Sequence, residues 1–221
     1  VYWHHEDSVA QPLLKKTEMF SGQLLHFWDF EIQDNPEIVK NIILAKLKKL
    51  PKVFARKLQV RQIDSETAKA FFNQYHLQGN ARASAQLGLY DGDKLLCAAS
   101  FGRERFSRTK HWELIRFATA GVAVIGGLSR LIKHFAVGRN GEKLVTFADR
   151  RISNGLAYLT TGFELLYKTQ PSYFYSKGVR LSRYEAQKSK LRNIVADFDE
   201  TLTERELMAR DGWLKCIDCG N

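Results

Sequence analysis

Cysteine is scarce in this sequence. Its three copies in 221 residues are too few and too scattered for a disulfide framework. Cys97 lies in the apolar run Leu95-Leu96-Cys97-Ala98-Ala99 and reads as a small core residue. Cys216 and Cys219 have the spacing of half a zinc site, but no second pair and no histidine follow them. Zinc is therefore not expected, and no residue is assigned as a metal ligand. No apolar run nears the roughly 18 residues of a membrane span. There is no signal peptide. Repeats and low-complexity tracts are also missing. These absences point to a soluble protein of a reducing compartment, the cytoplasm, with no membrane partner. The chain opens without Met inside a strand-like run, Val1-Tyr2-Trp3, and stops just past another. The expectation is a fragment of a longer protein.

What the sequence has in excess is positive charge. There are 34 Lys and Arg against 24 Asp and Glu, a formal net charge of +10. Such a surplus suits an anionic partner, most simply nucleic acid, although general solubility would account for it as well. Hydrophobic residues make up 44% of the chain, enough for a core.

The pattern along the chain alternates strands and helices. Strands are expected at 1–4, 23–28, 57–62, 87–90, 94–101, 112–119, 143–149, 163–168, 173–177 and 213–218. Asp91-Gly92-Asp93 between two of them is a hairpin signal. Helices are expected at 13–21, after Asn35-Pro36-Glu37, after Asp64-Ser65-Glu66, from Gly126-Gly127 to near Phe135, and at 153–161, 182–191 and 203–210. Leu50-Pro51-Lys52 breaks the second helix and marks a boundary. The fold class is α/β (α+β), with pieces at 1–50 and 54–221.

In the first piece, Tyr2-Trp3-His4-His5, a basic helix with Leu14-Lys15-Lys16-Thr17-Glu18-Met19, and Leu25-His26-Phe27-Trp28-Asp29 follow one another. That order resembles the distal half of Vsr-like endonucleases, within the PDDEXK-type nuclease fold. The nearest branch is the EDxHD group of Hef-type phage homing endonucleases. The resemblance implies a truncated nuclease domain acting on DNA with Mg²⁺ in the full-length protein, a phage protein in the cytoplasm of its bacterial host. It implies that His4 is the active-site base, the alternative being a surface histidine. Lys16 faces the phosphate or simply solvent. The family's main metal-binding acids precede Val1, so this chain is expected to be inactive as a nuclease.

In the second piece the succession strand, helix, hairpin, strand, Gly-rich helix start, strand, helix and two strands resembles the GNAT acyltransferase fold, which implies a mixed sheet with flanking helices. In that fold a strand splays from its neighbour, and backbone N–H groups of a Gly-rich turn hold the pyrophosphate of an acyl-CoA. Here Gly126, Gly127, Ser129 and Arg130 would take that role, although the family's usual Arg/Gln-x-x-Gly-x-Gly/Ala pattern is not reproduced. The same region is similar to the domain that accompanies Hef-type nucleases, and distantly to the phage DNA-adenine modification protein Mom. The residues that carry this include His76-Leu77-Gln78-Gly79, Phe101-Gly102, Trp112 to Phe117, Phe147-Ala148-Asp149-Arg150-Arg151, Asn154-Gly155, Tyr158 and Gly162-Phe163.

Each candidate has a plain structural alternative. Asp149 at a strand end is a site carboxylate or a helix cap. His76 is catalytic or caps its helix. Arg150 and Arg151 bind phosphate or pair with Asp149. Tyr173 and Tyr175, flanked by lysines, stack on bases or pair across strands. Arg183 and Lys188 track a DNA backbone or a solvated helix face. Tyr158 is flanked by apolar residues and reads as core. Glu113 and Arg116, three apart on one strand, are expected to face opposite sides. Three functions follow: a DNA-binding homing-endonuclease fragment, a GNAT-type acyltransferase or Mom-like base-modifying enzyme using acyl-CoA, and a non-catalytic DNA-binding module.

Overall fold

A computed structural model describes the backbone of residues 2–4 and all of residues 24–104 and 111–221. In chain order the elements are β1 (Tyr2–His4), β2 (His26–Trp28), α1 (Asp29–Asp34), α2 (Pro36–Lys46), β3 (Lys52–Phe54), β4 (Gln59–Gln62), α3 (Ser65–Tyr75), β5 (Ala85–Asp91), β6 (Lys94–Arg103) and β7 (Trp112–Thr119). Then come β8 (Ala123–Ile125), α4 (Gly127–Ala136), β9 (Leu144–Thr146), α5 (Leu156–Leu159), β10 (Tyr173–Ser176), β11 (Arg180–Ser182), a 3₁₀ helix (Lys188–Asn193), α6 (Glu204–Arg210) and β12 (Leu214–Ile217).

Two compact units interleave along the sequence. The first comprises Val1–Phe30, Ala148–Leu156 and Glu164–Asn221, and the second Glu31–Phe147 and Ala157–Phe163. Each therefore draws on segments far apart in the chain, a partition other than the one drawn at Leu50-Pro51.

The second unit is built on a mixed sheet of order β4-β5-β6-β7-β9, with helices on both faces, as the fold class expected. Neighbours from β4 to β7 are antiparallel, and β7 pairs with β9 in parallel. The β5–β6 hairpin closes through Gly92, whose φ of +58° suits the first position of a two-residue turn. Asp64 caps α3, its carboxylate accepting the Thr67 N–H at 2.7 Å. Leu128, Leu131 and Phe135, at helical spacing on α4, pack with Leu89, Cys97, Ala99, Phe101 and Leu114 on one sheet face. Phe101 and Phe135 stack with ring centroids 3.9 Å apart. On the opposite face Ala68, Phe71 and Phe72 of α3 cover Ile63, Ala98 and Ala118.

A bulge in β7 decides which side chains share a face. Ser100 pairs with Arg116 and Phe101 with Leu114, so Ile115 has no partner on β6. The extra residue shifts the alternation by one. Leu114 and Phe117, three apart, consequently both meet the α4 core, while Ala118 meets the α3 core. Glu113 and Arg116 thus lie on the same face, the α3 side. The expectation of opposite sides fails because strict alternation holds only in an unbulged strand.

In the first unit β1 and β2 run parallel, with His4 opposite Trp28. A second sheet has the order β11-β10-β12. Its core holds Tyr175, Ala186, Leu191, Val195, Leu207 and Met208. A full capping box starts α6: the Glu206 N–H donates to the Thr203 hydroxyl, and the Glu206 carboxylate accepts from the Thr203 N–H.

Several expected elements differ. Residues 163–168 form no strand among the described pairings, and Leu165, Leu166 and Tyr167 are exposed. Alternating apolar residues make a strand only where an edge accepts them. The helix expected at 182–191 is absent as well: pairing with β10 takes residues 180–182, and only 188–193 coil, as a 3₁₀ helix. Strands β3 and β8 were not expected, since each has three residues and exists by pairing with the other. The helix expected at 13–21 lies outside the described residues.

Candidate functional site: a strand fork above a glycine turn

The second unit contains a fork. The parallel ladder between β7 and β9 has three pairs and stops at Leu114 opposite Thr146. Beyond it β7 continues from Ile115 to Thr119, and among the described residues no strand pairs with it on that side. The fork starts at the bulge, which bends β7 away from its former course. Four residues of strand advance about 13 Å from Ile115 to Thr119. There the chain turns through Gly121 (φ +67°) and β8 to Gly126 (φ +76°) and enters α4.

The α4 entrance is shaped for close approach. Gly126 is exposed, and a Cβ there would find nothing nearer than the Ala55 Cβ at 4.0 Å. Gly127 is buried, and a Cβ there would stand 3.0 Å from Val124 Cγ1 and 3.4 Å from Cys97 Sγ. Glycine at 127 therefore lets the helix start lie flat on the sheet. The N–H groups of a first helical turn have no intrahelical acceptor and carry the positive end of the helix dipole. Ser129 is half-buried within that turn. Arg130, expected to reach a phosphate, instead donates from Nη1 to the Ala55 carbonyl oxygen and ties α4 to the chain after β3.

At the crotch of the fork the Thr146 hydroxyl donates to the Leu114 carbonyl oxygen at 3.1 Å. The Tyr158 phenol from α5 lies near the Thr146 side chain. Burial raises the Tyr158 phenol above its ordinary pKa, against the smaller opposing effect of the neighbouring Thr146. The phenol therefore stays protonated at neutral pH and is available as a proton donor. In sequence Tyr158 reads as core. Its partial burial agrees with that, but its place at the fork becomes visible only once β9 is paired.

On the α3 face, Arg116 donates from Nε to the Gly79 carbonyl oxygen at 3.0 Å and from Nη1 to the Ile115 carbonyl oxygen at 2.9 Å. His76 is the C-cap of α3, and its Nδ1 accepts the Gln78 N–H at 3.2 Å. The Asn73 side chain accepts the Asn80 N–H at 2.9 Å. His76 thus shapes the loop that Arg116 holds against the sheet.

The remaining expected site residues belong to the first unit. Asp149 accepts the Arg151 guanidinium at 2.9 Å and the Arg151 backbone N–H at 3.0 Å. The side chain of Arg151 is only 3% exposed, and its pairing with Asp149 is one of the two roles that the sequence left open. The Arg151 carbonyl accepts the His26 N–H at 2.9 Å, and Arg150 donates from Nη1 to the Cys219 carbonyl at 3.1 Å. The Tyr173 and Tyr175 hydroxyls both donate to Glu204 Oε1, at 3.0 and 3.2 Å. Arg183 and Lys215 lie over the Tyr173 ring, and Lys190 over the exposed Tyr184 ring at 3.0 Å. Lys188 donates to the Glu200 carbonyl at 2.7 Å. Cys216 packs with Trp28 and Phe174. Among the described residues, no group of three or more His, Cys, Asp or Glu side chains is placed to hold a metal ion. No helix among them is long and apolar enough to cross a membrane. The side chain of His4 and the whole of Lys16 lie outside the described residues.

No protein-family model matches the sequence, and no curated protein sequence matches it. Among solved structures, the chain is similar to a protein from Corynebacterium glutamicum described as "histone acetyltransferase HPA2 and related acetyltransferase". The two are 22% identical, the match covers 67% of this chain and 88% of that one, and the TM-score is 0.33.

Proposed function

We propose that the second unit is an acyltransferase of GNAT type that uses an acyl-CoA. The observation that carries this reading is the fork, an open strand edge that ends on the glycine turn of α4. An open edge offers backbone N–H and C=O groups in a row, which suits an extended, amide-bearing arm laid alongside β7. The α4 entrance suits the pyrophosphate at the far end of such an arm. An acyl-CoA bound this way supplies the acyl group as a thioester. Residues 115–119 hold the arm, the N–H groups of Gly127, Leu128 and Ser129 hold the phosphates, and Tyr158 gives its proton to the departing sulfur. The lone pair of an acceptor amine makes the new C–N bond as the C–S bond breaks. The proton shed by the nitrogen restores Tyr158 through solvent. An amine of a nucleobase, as the resemblance to Mom implies, is one acceptor class of the right chemistry.

The test is calorimetric titration of the chain with CoA, dephospho-CoA and pantetheine. Binding of CoA, with pantetheine at least tenfold weaker, is the expected result. No heat with any of the three would sink the proposal.

A second reading, DNA contact by the first unit, draws on the cations lying over the Tyr173 and Tyr184 rings. Such pairs offer both phosphate contact and stacking. Log affinity for duplex DNA should fall with log salt, and Arg183→Ala and Lys190→Ala should each reduce the slope by about one. A flat slope in the parent chain would remove this reading. The nuclease role expected of residues 1–50 has no comparable observation among the described residues.

A further inference from the structure

Strand β3 is an addition beside the main sheet, and it lies next to the glycine turn on which the fork ends. Its three residues run parallel to β8, with Lys52 opposite Ala123, Val53 opposite Val124 and Phe54 opposite Ile125. Alternation turns Val53 and Val124 to the α4 core and leaves Phe54 and Ile125 on the other face. There both are 46% exposed, an uncovered aromatic ring beside an uncovered branched aliphatic. The pair adjoins the glycine turn. Ile125 immediately precedes Gly126, and Phe54 precedes Ala55, whose Cβ is the nearest atom to a Cβ built at Gly126. The Arg130 bond to the Ala55 carbonyl oxygen holds the two segments together.

The surroundings are basic. Neither residues 38–63 nor residues 114–141, the stretches that carry β3 and β8, contain an Asp or Glu. Lys52 is exposed and, two residues from Phe54, shares its face. The Arg56 guanidinium lies 5.3 Å from the centroid of the Phe54 ring. Arg116 and Arg130 are tied to carbonyl oxygens of the fold, but among the described residues no carboxylate or carbonyl engages Arg56. Packing therefore explains neither the uncovered ring nor the cation beside it.

We infer that the β3–β8 face holds the adenine and the 3′-phosphate of the acyl-CoA, as a subsite continuous with the phosphate-binding turn of α4. The occupant follows from chemistry and position. An exposed ring with a cation beside it takes a planar base that carries a phosphate. An acyl-CoA whose pyrophosphate lies at Gly127 to Ser129 has such a group a few bonds away, on its ribose. The 3′-phosphate brings negative charge to a surface whose strands carry no acid. Adenine stacks on Phe54 against Ile125, and Arg56 and Lys52 supply the cations. That the nucleotide is the end of an acyl-CoA rests on the acyltransferase reading; that the face takes a phosphorylated purine does not.

The experiment titrates the parent chain, Phe54→Ala and Arg56→Gln with CoA, adenosine 3′,5′-bisphosphate and a short single-stranded oligonucleotide. Both side chains are exposed, so the variants should fold, and unchanged melting temperatures confirm it; if Phe54→Ala is destabilised, Arg56→Gln decides. The expected result is binding of CoA and of the bisphosphate by the parent chain, each weakened by about tenfold or more in either variant. CoA binding that both variants retain at full strength overturns the inference and leaves the acyltransferase reading standing. Bisphosphate binding that depends on Phe54, in a chain that binds CoA no more tightly than the bisphosphate, keeps the subsite and overturns its assignment to an acyl-CoA. Oligonucleotide binding that depends on Phe54, with no binding of the bisphosphate, makes the face a nucleic-acid contact and overturns the inference. No binding of any probe overturns both readings.

Discussion

Arg116 donates from Nε to the carbonyl oxygen of Gly79 across 37 residues of chain, and so pins the loop after α3 to the strand just past its bulge. Arg116→Gln removes the guanidinium and leaves the Gly79 carbonyl without this donor. The expected cost is about 1–2 kcal/mol, read by urea denaturation. Hydrogen exchange of the amides at 76–84 should speed up by more than that of β6. Uniform change across the unit would show that the bond does not govern the loop.

Ser129→Glu places a carboxylate in the first turn of α4. The helix dipole favours it there by about 0.3–1 kcal/mol, so the melting temperature should hold or rise. A bound pyrophosphate would be repelled, and CoA affinity should fall by about tenfold or more. Unchanged affinity would remove the α4 entrance from the site.

Tyr158→Phe keeps the ring and its packing against Phe163 but removes the proton donor. Acyl transfer should slow by about a hundredfold with CoA affinity intact. In the parent chain the rate should decline only well into the alkaline range, because burial raises the phenol above its ordinary value. Equal rates in the two chains would assign Tyr158 to packing alone.

Tyr175 makes an alkaline prediction in the first unit. Burial raises its pKa, and the neighbouring Glu204 charge adds to the effect. An unfolded tyrosine ionises near about pH 10. Above that pH the unfolded chain sheds a proton that the folded chain keeps, so stability falls as pH rises and is unaffected by this group below it. Tyr175→Phe should flatten the fall of melting temperature above about pH 10. An unchanged slope would place the alkaline loss elsewhere.

Asp149→Asn should be costly because Arg151 is almost fully buried beside it. Removing one partner of a buried pair typically costs about 3–5 kcal/mol. Asp149 is itself 16% exposed, so a value near the lower end is expected in urea denaturation. A loss below about 1 kcal/mol would show that solvent or another group compensates Arg151.

Features settled within a few residues can be read directly from the chain. The hairpin at Asp91-Gly92-Asp93, the Asp64 cap and the amphipathic stripe of α4 were legible because their causes are local: a turn needing positive φ, a carboxylate three residues before an N–H, apolar residues at helical spacing. The order of most strands and helices follows from such signals. The Gly126-Gly127 turn was legible too, as a place where backbone must come close. Other features depend on contacts between distant segments. The bulge at Ile115 depends on how β7 meets β6, and it reverses which side Arg116 faces. The fork depends on β9 pairing over three residues and no further. Arg130 reads as a phosphate ligand in sequence, and Arg151 as a phosphate ligand or a partner of Asp149; both make contacts within the fold, because a guanidinium binds whatever acceptor the packing brings to it. Register, partner and burial are properties of pairs of distant segments, and no window of neighbouring residues contains them.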